Sequence, residues 1–177
     1  MVAGAVVNKV EVDAQPGLER TLERGLARHG IPLLGILPYR PILSNPSLSM
    51  IVEGMAPAEL LHPGPDLDLV IGAVAIAAMH ADHVLEWLKP GSFVIVPGDR
   101  EELLLTLLGD HERRVAAGAE AVVSGLVLTG YRPSPRILEA IRRADVFALL
   151  APHDTYMVAS AVHDLLVKTH AADREKI

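Results

Sequence analysis

Short apolar runs alternate along this chain with segments in which leucine and isoleucine recur every three or four residues. The apolar runs predict buried strands, and the helically spaced segments predict amphipathic helices. Strands are predicted at residues 2–7, 33–37, 69–77, 93–96, 121–128 and 146–150. Helices are predicted at residues 18–30, 48–53, 80–88, 101–108, 135–143 and 156–169. This alternation predicts an α/β fold with a mostly parallel, doubly wound sheet that carries helices on both faces.

Interruptions of the strand and helix pattern by prolines predict three regions. Residues 1–45 form a strand–helix–strand unit, which normally has parallel strands and a right-handed crossover. Prolines then cluster at positions 41, 46, 57, 63 and 65, so residues 46–65 are predicted to be a proline-rich connection around one short helix. Residues 66–177 contain the remaining alternation and are predicted to be the main domain.

Composition narrows the classes of function. Half of the 177 residues are hydrophobic and only 3% are aromatic, which is typical of the aliphatic core of an α/β protein. A net charge of −6 argues against binding to a nucleic-acid backbone. The absence of cysteine excludes disulfides, thiolate nucleophiles and cysteine zinc sites. No apolar run reaches the roughly 20 residues of a membrane helix, and we expect a cytoplasmic protein with no membrane partner.

Three consecutive predicted strands end in polar residues. Asp99-Arg100 follow the strand at 93–96, Thr129-Gly130 follow the next strand, and Asp154-Thr155 follow the last strand. The carboxyl ends of parallel strands meet at one edge of a sheet, where α/β proteins bind ligands. We call these six residues the rim and predict that they bind a ligand.

Each rim residue also has a structural interpretation. Asp99 could cap the helix that follows it, and Arg100 could form an ion pair as readily as a ligand contact. Thr129-Gly130 could be a plain turn between strand and helix, and either Asp154 or Thr155 could cap the last helix. The sequence leaves both interpretations open for all six residues.

Familiar catalytic motifs are absent. The histidines do not form a metal-binding motif such as His-Glu-x-x-His, and there is no Gly-x-Ser-x-Gly serine nucleophile. No phosphate-binding loop of the Gly-x-x-x-x-Gly-Lys-Ser/Thr type occurs either, so nucleotide hydrolysis by this chain alone is not expected. Asn8-Lys9, at the end of the first predicted strand, has the character of a base-recognition element. We therefore predict no catalytic residue and no metal site.

Residues 66–170 resemble the DRTGG domain, a family named after an Asp-Arg pair and a Thr-Gly-Gly turn. Asp99-Arg100 and Thr129-Gly130 match these two motifs, while Tyr131 stands where the family has its second glycine. The family is found beside phosphotransacetylase catalytic domains and beside paired nucleotide-sensing domains in some pyrophosphatases. The resemblance implies a regulatory or dimerising module with no established reaction, and Tyr131 puts a side chain where a ligand would meet bare backbone.

Residues 2–45 resemble the closing portion of a dethiobiotin-synthetase-like P-loop domain. The resemblance lies in residues 4–10 and 31–38, and it implies that Asn8 helps to bind a nucleotide base. The phosphate-binding half of such a domain would precede Met1. Proteins that join this P-loop domain to a DRTGG domain occur as the amino-terminal region of long phosphotransacetylases and as shorter proteins. The chain is therefore expected to be a fragment or a degenerate relative of such a protein.

These observations support one leading hypothesis and two alternatives. The leading hypothesis is a non-catalytic regulatory module that forms a homodimer and binds an adenine nucleotide or a small anionic metabolite at the rim. A phosphotransacetylase or P-loop domain, upstream or in trans, would be its partner. The first alternative is part of a P-loop ATP-dependent or acetyl-phosphate-handling enzyme, with Asn8-Lys9 holding the base. The second is a purely assembling role in which the rim forms a subunit contact.

Overall fold

The computed structural model describes residues 2–11, 17–40, 43 and 45–165. The chain divides into two compact units, Met1–Pro41 and Ile42–Ile177, which we call unit 1 and unit 2. The boundary observed at 41/42 lies a few residues before the boundary predicted at 45/46.

Unit 1 is a strand–helix–strand unit. It contains β1 (Ala5–Val10), α1 (Leu18–Ala27) and β2 (Leu33–Pro38), and the two strands pair in parallel as predicted. The first strand was predicted to stop at residue 7, but β1 continues to Val10 through an irregular stretch in which Lys9 has φ 60°. The helix α1 buries none of its residues.

Unit 2 is built on a five-stranded sheet. Its strands are β3 (Glu59–His62), β4 (Ala73–Ile76), β5 (Ser92–Pro97), β6 (Val123–Thr129) and β7 (Phe147–Ala151). The described part of unit 2 also contains the helices α2 (Leu48–Gly54), α3 (Ala81–Trp87), α4 (Glu101–Ala116), α5 (Pro135–Ala144) and α6 (Thr155–His163). The strand order is β3-β7-β6-β5-β4, in which β4 to β7 are parallel and β3 is antiparallel to β7.

Helices cover both faces of this sheet, which confirms the predicted fold class. Consecutive parallel strands are neighbours, so crossovers of one hand place α3, α4 and α5 on the same face. There the core includes Val94 and Val96 of β5. On the opposite face Phe93 and Ile95 pack with the buried residues of α2 and α6. The alternation of side chains along β5 thus serves two cores, one for each layer of helices.

The segment predicted as a proline-rich connection contains more structure than expected. Besides the predicted helix, which is α2, residues 46–65 contribute β3 as an edge strand of the sheet. The strand is four residues long and is stabilised by pairing with β7, far along the chain, so local periodicity does not reveal it. The predicted part of the last helix beyond residue 165 lies outside the described residues. Among the described residues, no helix is both long and apolar enough to cross a membrane.

Candidate ligand site at the carboxyl ends of the parallel strands

The three predicted strand ends lie side by side. Pro97 of β5 is level with Thr129 of β6, which is level with Ala151 of β7. Backbone hydrogen bonds continue beyond the sheet: the Gly98 N–H donates to the Thr129 carbonyl at 3.0 Å, and the Gly130 N–H donates to the His153 carbonyl at 2.9 Å. The structure therefore brings together the three loops that the sequence predicts to form one rim.

Two of the rim side chains bind each other. The hydroxyl oxygens of Thr129 and Thr155 lie 2.8 Å apart, and Thr129 is only 2% exposed. Thr155 is the first residue of α6, so this hydrogen bond ties the end of β6 to the start of that helix. A buried hydroxyl with a partner is satisfied without a ligand. The two threonines therefore shape the floor of the rim.

Two glycines set the backbone of the rim. A Cβ on Gly98 would overlap the carbonyl oxygen of Tyr131, so only glycine allows the loops after β5 and β6 to approach so closely. Gly130 has φ +71°, a conformation that favours glycine, and a Cβ built there meets nothing within 4 Å. The space above Gly130 is thus open, whereas the space beside Gly98 is filled by protein.

Asp99 and Arg100 do not have the arrangement in which Asp99 would cap the following helix. Arg100, not Asp99, occupies the N-cap of α4, and no side chain caps this helix, so the capping interpretation of Asp99 is wrong. The Arg100 guanidinium donates a hydrogen bond of 3.4 Å to the Met79 carbonyl. Glu101 and Glu102 supply negative charge to the first turn of α4, where it complements the helix dipole. Asp99 and Arg100 are both exposed at the rim.

Asp154 is the cap of the last helix. Its Oδ1 accepts a hydrogen bond from the Met157 N–H at 3.0 Å, which satisfies one of the free donors of α6. This geometry selects Asp154 over Thr155 as the capping residue. Asp154 as a whole lies on the surface.

Other residues lie near the rim, and the sequence had indicated only Tyr131 among them. Tyr131 and Tyr156 are 70% and 78% exposed, so two phenol rings project near the ends of β6 and β7. Arg132 pairs with Glu59 of β3 through hydrogen bonds of 2.6 and 3.0 Å. The hydrogen bond from Arg132 holds the pKa of the Glu59 carboxyl below its ordinary value. No local signal could identify this pair, because its members are 73 residues apart.

The charges around the rim are mixed. The rim and the first turn of α4 carry four carboxylates, those of Asp99, Glu101, Glu102 and Asp154, and one guanidinium, that of Arg100. Arg132 adds little positive charge because Glu59 already neutralises it. Among the described residues, no three histidine or acidic side chains are close enough to hold a metal ion. The rim therefore offers one cation, several hydrogen-bond acceptors and exposed aromatic rings.

Asn8 and Lys9, the two residues predicted to contact a base, belong to unit 1. Both are exposed, and the Asn8 side-chain oxygen accepts a hydrogen bond from the Lys9 N–H at 2.8 Å. This bond stabilises the turn of the backbone at Lys9, where φ is positive.

Comparison with known proteins places these features in a family. The model of the DRTGG domain matches residues 51–165, a range that also includes most of α2 and all of β3. The match begins upstream of residue 66, where the resemblance in the sequence was predicted to begin. The family match thus spans nearly all of the described part of unit 2.

Similar proteins include long enzymes. Phosphate acetyltransferase of Pseudomonas putida is 27% identical over 183 residues, which is 99% of this chain and 25% of that enzyme. Phosphate acetyltransferase of Nitrosomonas europaea is 23% identical over 97% of this chain and 24% of that enzyme. The cobalt-dependent inorganic pyrophosphatase of Clostridium perfringens is 28% identical over 67% of this chain and 20% of that protein. The chain spans about a quarter of the length of the phosphate acetyltransferases it matches.

A solved structure supports the fold. It contains the CBS and DRTGG domains of the regulatory region of a Clostridium perfringens pyrophosphatase, complexed with its activator diadenosine tetraphosphate. The likeness has a TM-score of 0.53 at 18% identity and covers 97% of this chain and 79% of that chain. The model of the DRTGG domain matches more than half of the length of this chain, and the chain therefore belongs to the DRTGG domain family.

Proposed function

We propose that this chain is the regulatory part of a phosphate-acetyltransferase-type protein, that it forms a homodimer, and that its rim binds an adenine nucleotide or a small anionic metabolite. The alignment of three consecutive strand ends, with open space above Gly130, is the observation that carries the ligand site. Similarity to phosphate acetyltransferases over nearly the whole chain supports the catalytic partner. The nucleotide is supported by the activator of the related pyrophosphatase regulatory region.

Three of the four exposed rim residues, together with Tyr131 beside them, have roles in this proposal. Arg100 binds a phosphate oxygen, and Gly130 lets the ligand approach the backbone. Asp99 accepts hydrogen bonds from ribose hydroxyls, and the ring of Tyr131 stacks on the base. Because the rim and the first turn of α4 carry four carboxylates, a nucleotide that carries its own magnesium ion fits the rim better than a small anion without a metal ion.

Titration calorimetry on the whole chain tests the ligand site. ATP and diadenosine tetraphosphate are titrated with magnesium, and Arg100→Ala is expected to weaken binding by about tenfold or more, the usual cost of losing a hydrogen bond to a charged group. Arg142→Ala is the matched control, because it removes the same charge from the last turn of α5, away from the rim. Absence of binding by the wild-type chain to nucleotides and to small phosphorylated metabolites would contradict the ligand site.

We propose a separate role for unit 1, as the closing portion of a P-loop domain in which Asn8 and Lys9 contact a base. Its parallel strand–helix–strand arrangement supports this idea. The two base-binding proposals give different results in the same titration. Asn8→Ala weakens nucleotide binding if unit 1 binds the base, whereas Arg100→Ala weakens it if the rim does.

The enzymatic alternative predicts turnover by this chain. The regulatory proposal predicts no turnover by this chain, because its sequence contains no phosphate-binding loop. An assay for ATP hydrolysis and for acetyl transfer from acetyl phosphate separates the two hypotheses. The regulatory proposal also places the protein in the cytoplasm, in keeping with a chain that contains no cysteine.

A further inference from the structure

Among the described residues, no strand pairs with one edge of the sheet in unit 2. β4 is the terminal strand and pairs only with β5 among the described strands. Asn45 covers the residues just before it, since its side-chain amide donates to the carbonyls of Ile71 and Gly72 at 2.8 Å each. From Ala73 onward, alternate backbone groups of β4 face away from β5, as they do in any edge strand.

The open edge is only four residues long, but it lacks the other features that discourage pairing. Natural edge strands carry lysine, proline, bulges or inward-pointing charges that prevent another strand from adding to them. β4 reads Ala-Val-Ala-Ile, its pairing with β5 is regular, and the whole run from residue 69 to residue 79 contains no charged side chain. The edge is therefore competent to accept a further strand.

An apolar groove lies beside this edge. Val74 and Ile76 are level with Phe93 and Ile95, so they point to the face of the sheet that carries α6. They are 47% and 48% exposed and line a groove of about 470 Å³ together with residues of α6. Exposed aliphatic side chains that adjoin an unpaired strand edge are characteristic of binding by strand addition.

The two ends of the groove are chemically different. Tyr156 lies at the start of α6 and offers a hydroxyl donor, while His163 and Asp164 lie at its far end and include a carboxylate acceptor. A two-fold axis perpendicular to the sheet relates two copies whose grooves run in opposite directions, while the face that carries α6 is on the same side of the sheet in both copies. It therefore brings the tyrosine end of one groove to the carboxylate end of the other.

We propose that the partner of this edge is the β4 strand of a second copy of this chain. Antiparallel pairing of the two β4 strands forms one continuous sheet, and Val74 and Ile76 of both copies lie between the two α6 helices. An uncharged strand can oppose itself without like-charge repulsion, which matters for a chain of net charge −6. This interface rests on the homodimer proposed above and assigns a surface to it.

Light scattering and sedimentation velocity on the full chain test the interface. The wild-type chain is expected to be a dimer, and Val74→Lys is expected to raise the dimer dissociation constant by more than about tenfold, because the two-fold axis places both lysines in one interface. Val115→Lys is the matched control, since Val115 is 57% exposed near the end of α4. Ile76→Lys repeats the test at a second exposed position, with circular dichroism as the check on folding.

Cross-linking provides an independent measurement, because the chain contains no cysteine of its own. Val74→Cys is expected to be linked to its copy by a short bis-maleimide reagent, which spans neighbouring register positions, and Val115→Cys is not. A monomeric wild-type chain would overturn the homodimer and this interface together. A dimer that survives both lysine variants and does not cross-link through Val74→Cys would overturn the interface alone. The nucleotide affinity of Val74→Lys is expected to stay at the wild-type value, so the rim and the interface are tested separately.

Discussion

The two units have similar patterns of apolar and polar residues, but their apolar side chains are buried to very different extents. In the described part of unit 1 no residue is fully buried, and Val6, Leu34 and Leu37 are 55%, 62% and 51% exposed. In unit 2 a sheet of five strands separates two cores, and β5 alone places four side chains at 0% exposure. The units therefore differ in packing far more than in periodicity.

The difference follows from the number of strands. Two strands and one helix cannot enclose a side chain on every side, so an isolated two-stranded sheet has little core to stabilise it. Five strands with helices on both faces enclose the central strands completely. The exposed apolar residues of unit 1 are what a piece of a larger α/β domain would present, which supports the P-loop proposal for that unit.

Large-to-small substitutions should show the largest contrast between the units. Leu126→Ala removes a side chain that is 0% exposed from the centre of the sheet, and it is expected to lower the free energy of unfolding by about 2–5 kcal/mol. Leu34→Ala, in unit 1, is expected to change it by less than about 0.5 kcal/mol. Urea denaturation followed by circular dichroism measures both variants. Equal losses would mean that unit 1 has a core of its own.

Glycine substitutions test the close approach of the rim loops. Gly98→Ala forces a Cβ against the Tyr131 carbonyl and is expected to cost about 1–3 kcal/mol of unfolding free energy, with loss of nucleotide binding at the rim. Gly35→Ala in β2 meets nothing within 4 Å and should be tolerated. Thermal unfolding and the titration described above measure the two effects. A stable Gly98→Ala variant with wild-type binding would contradict the described packing of these loops.

The buried hydroxyl pair should contribute less than either packing effect. Thr129→Val removes one partner of the 2.8 Å contact and leaves the Thr155 hydroxyl without it, at an expected cost of about 1–1.5 kcal/mol. Thr21→Val is the matched substitution in unit 1, where the hydroxyl is exposed and donates to the Gly17 carbonyl. Its cost should be smaller, because water replaces the lost hydrogen bond. Chemical denaturation of both variants distinguishes the buried from the exposed hydroxyl.

The smallest expected effect is a dependence of stability on pH in unit 2. Burial lowers the pKa of His111 below its ordinary value of 6.5. The unfolded chain therefore binds a proton first as the pH falls, so unfolding free energy should decrease from about pH 6.5 down to the pKa of the folded state, and be unaffected above that window. His111→Gln should flatten this dependence, while His29→Gln, an exposed position of unit 1, should preserve it. A pH dependence that persists in His111→Gln would assign it to another group.

Much of the secondary structure of unit 2 could be predicted, because it depends on patterns of residues that are close together in the sequence. Apolar runs and helical spacing identified four of its five described strands and the five helices α2 to α6, and alternation predicted the parallel sheet. The same reasoning placed Asp99, Thr129 and Asp154 at one edge, and the register of β5, β6 and β7 brings the three loops together. Edge strand β3 was not predicted, because four residues in a proline-rich segment have no periodicity of their own.

The pattern of residues determined which segments become strands and helices, since the side-chain period is set by backbone geometry within a few residues. Only the tertiary structure decided what each rim residue does. It made Thr129 a buried partner of Thr155, joined Arg132 to Glu59, and gave β4 only one neighbour among the described strands. These outcomes depend on which residues distant in sequence meet in space, and that is settled by packing the whole unit around its two cores.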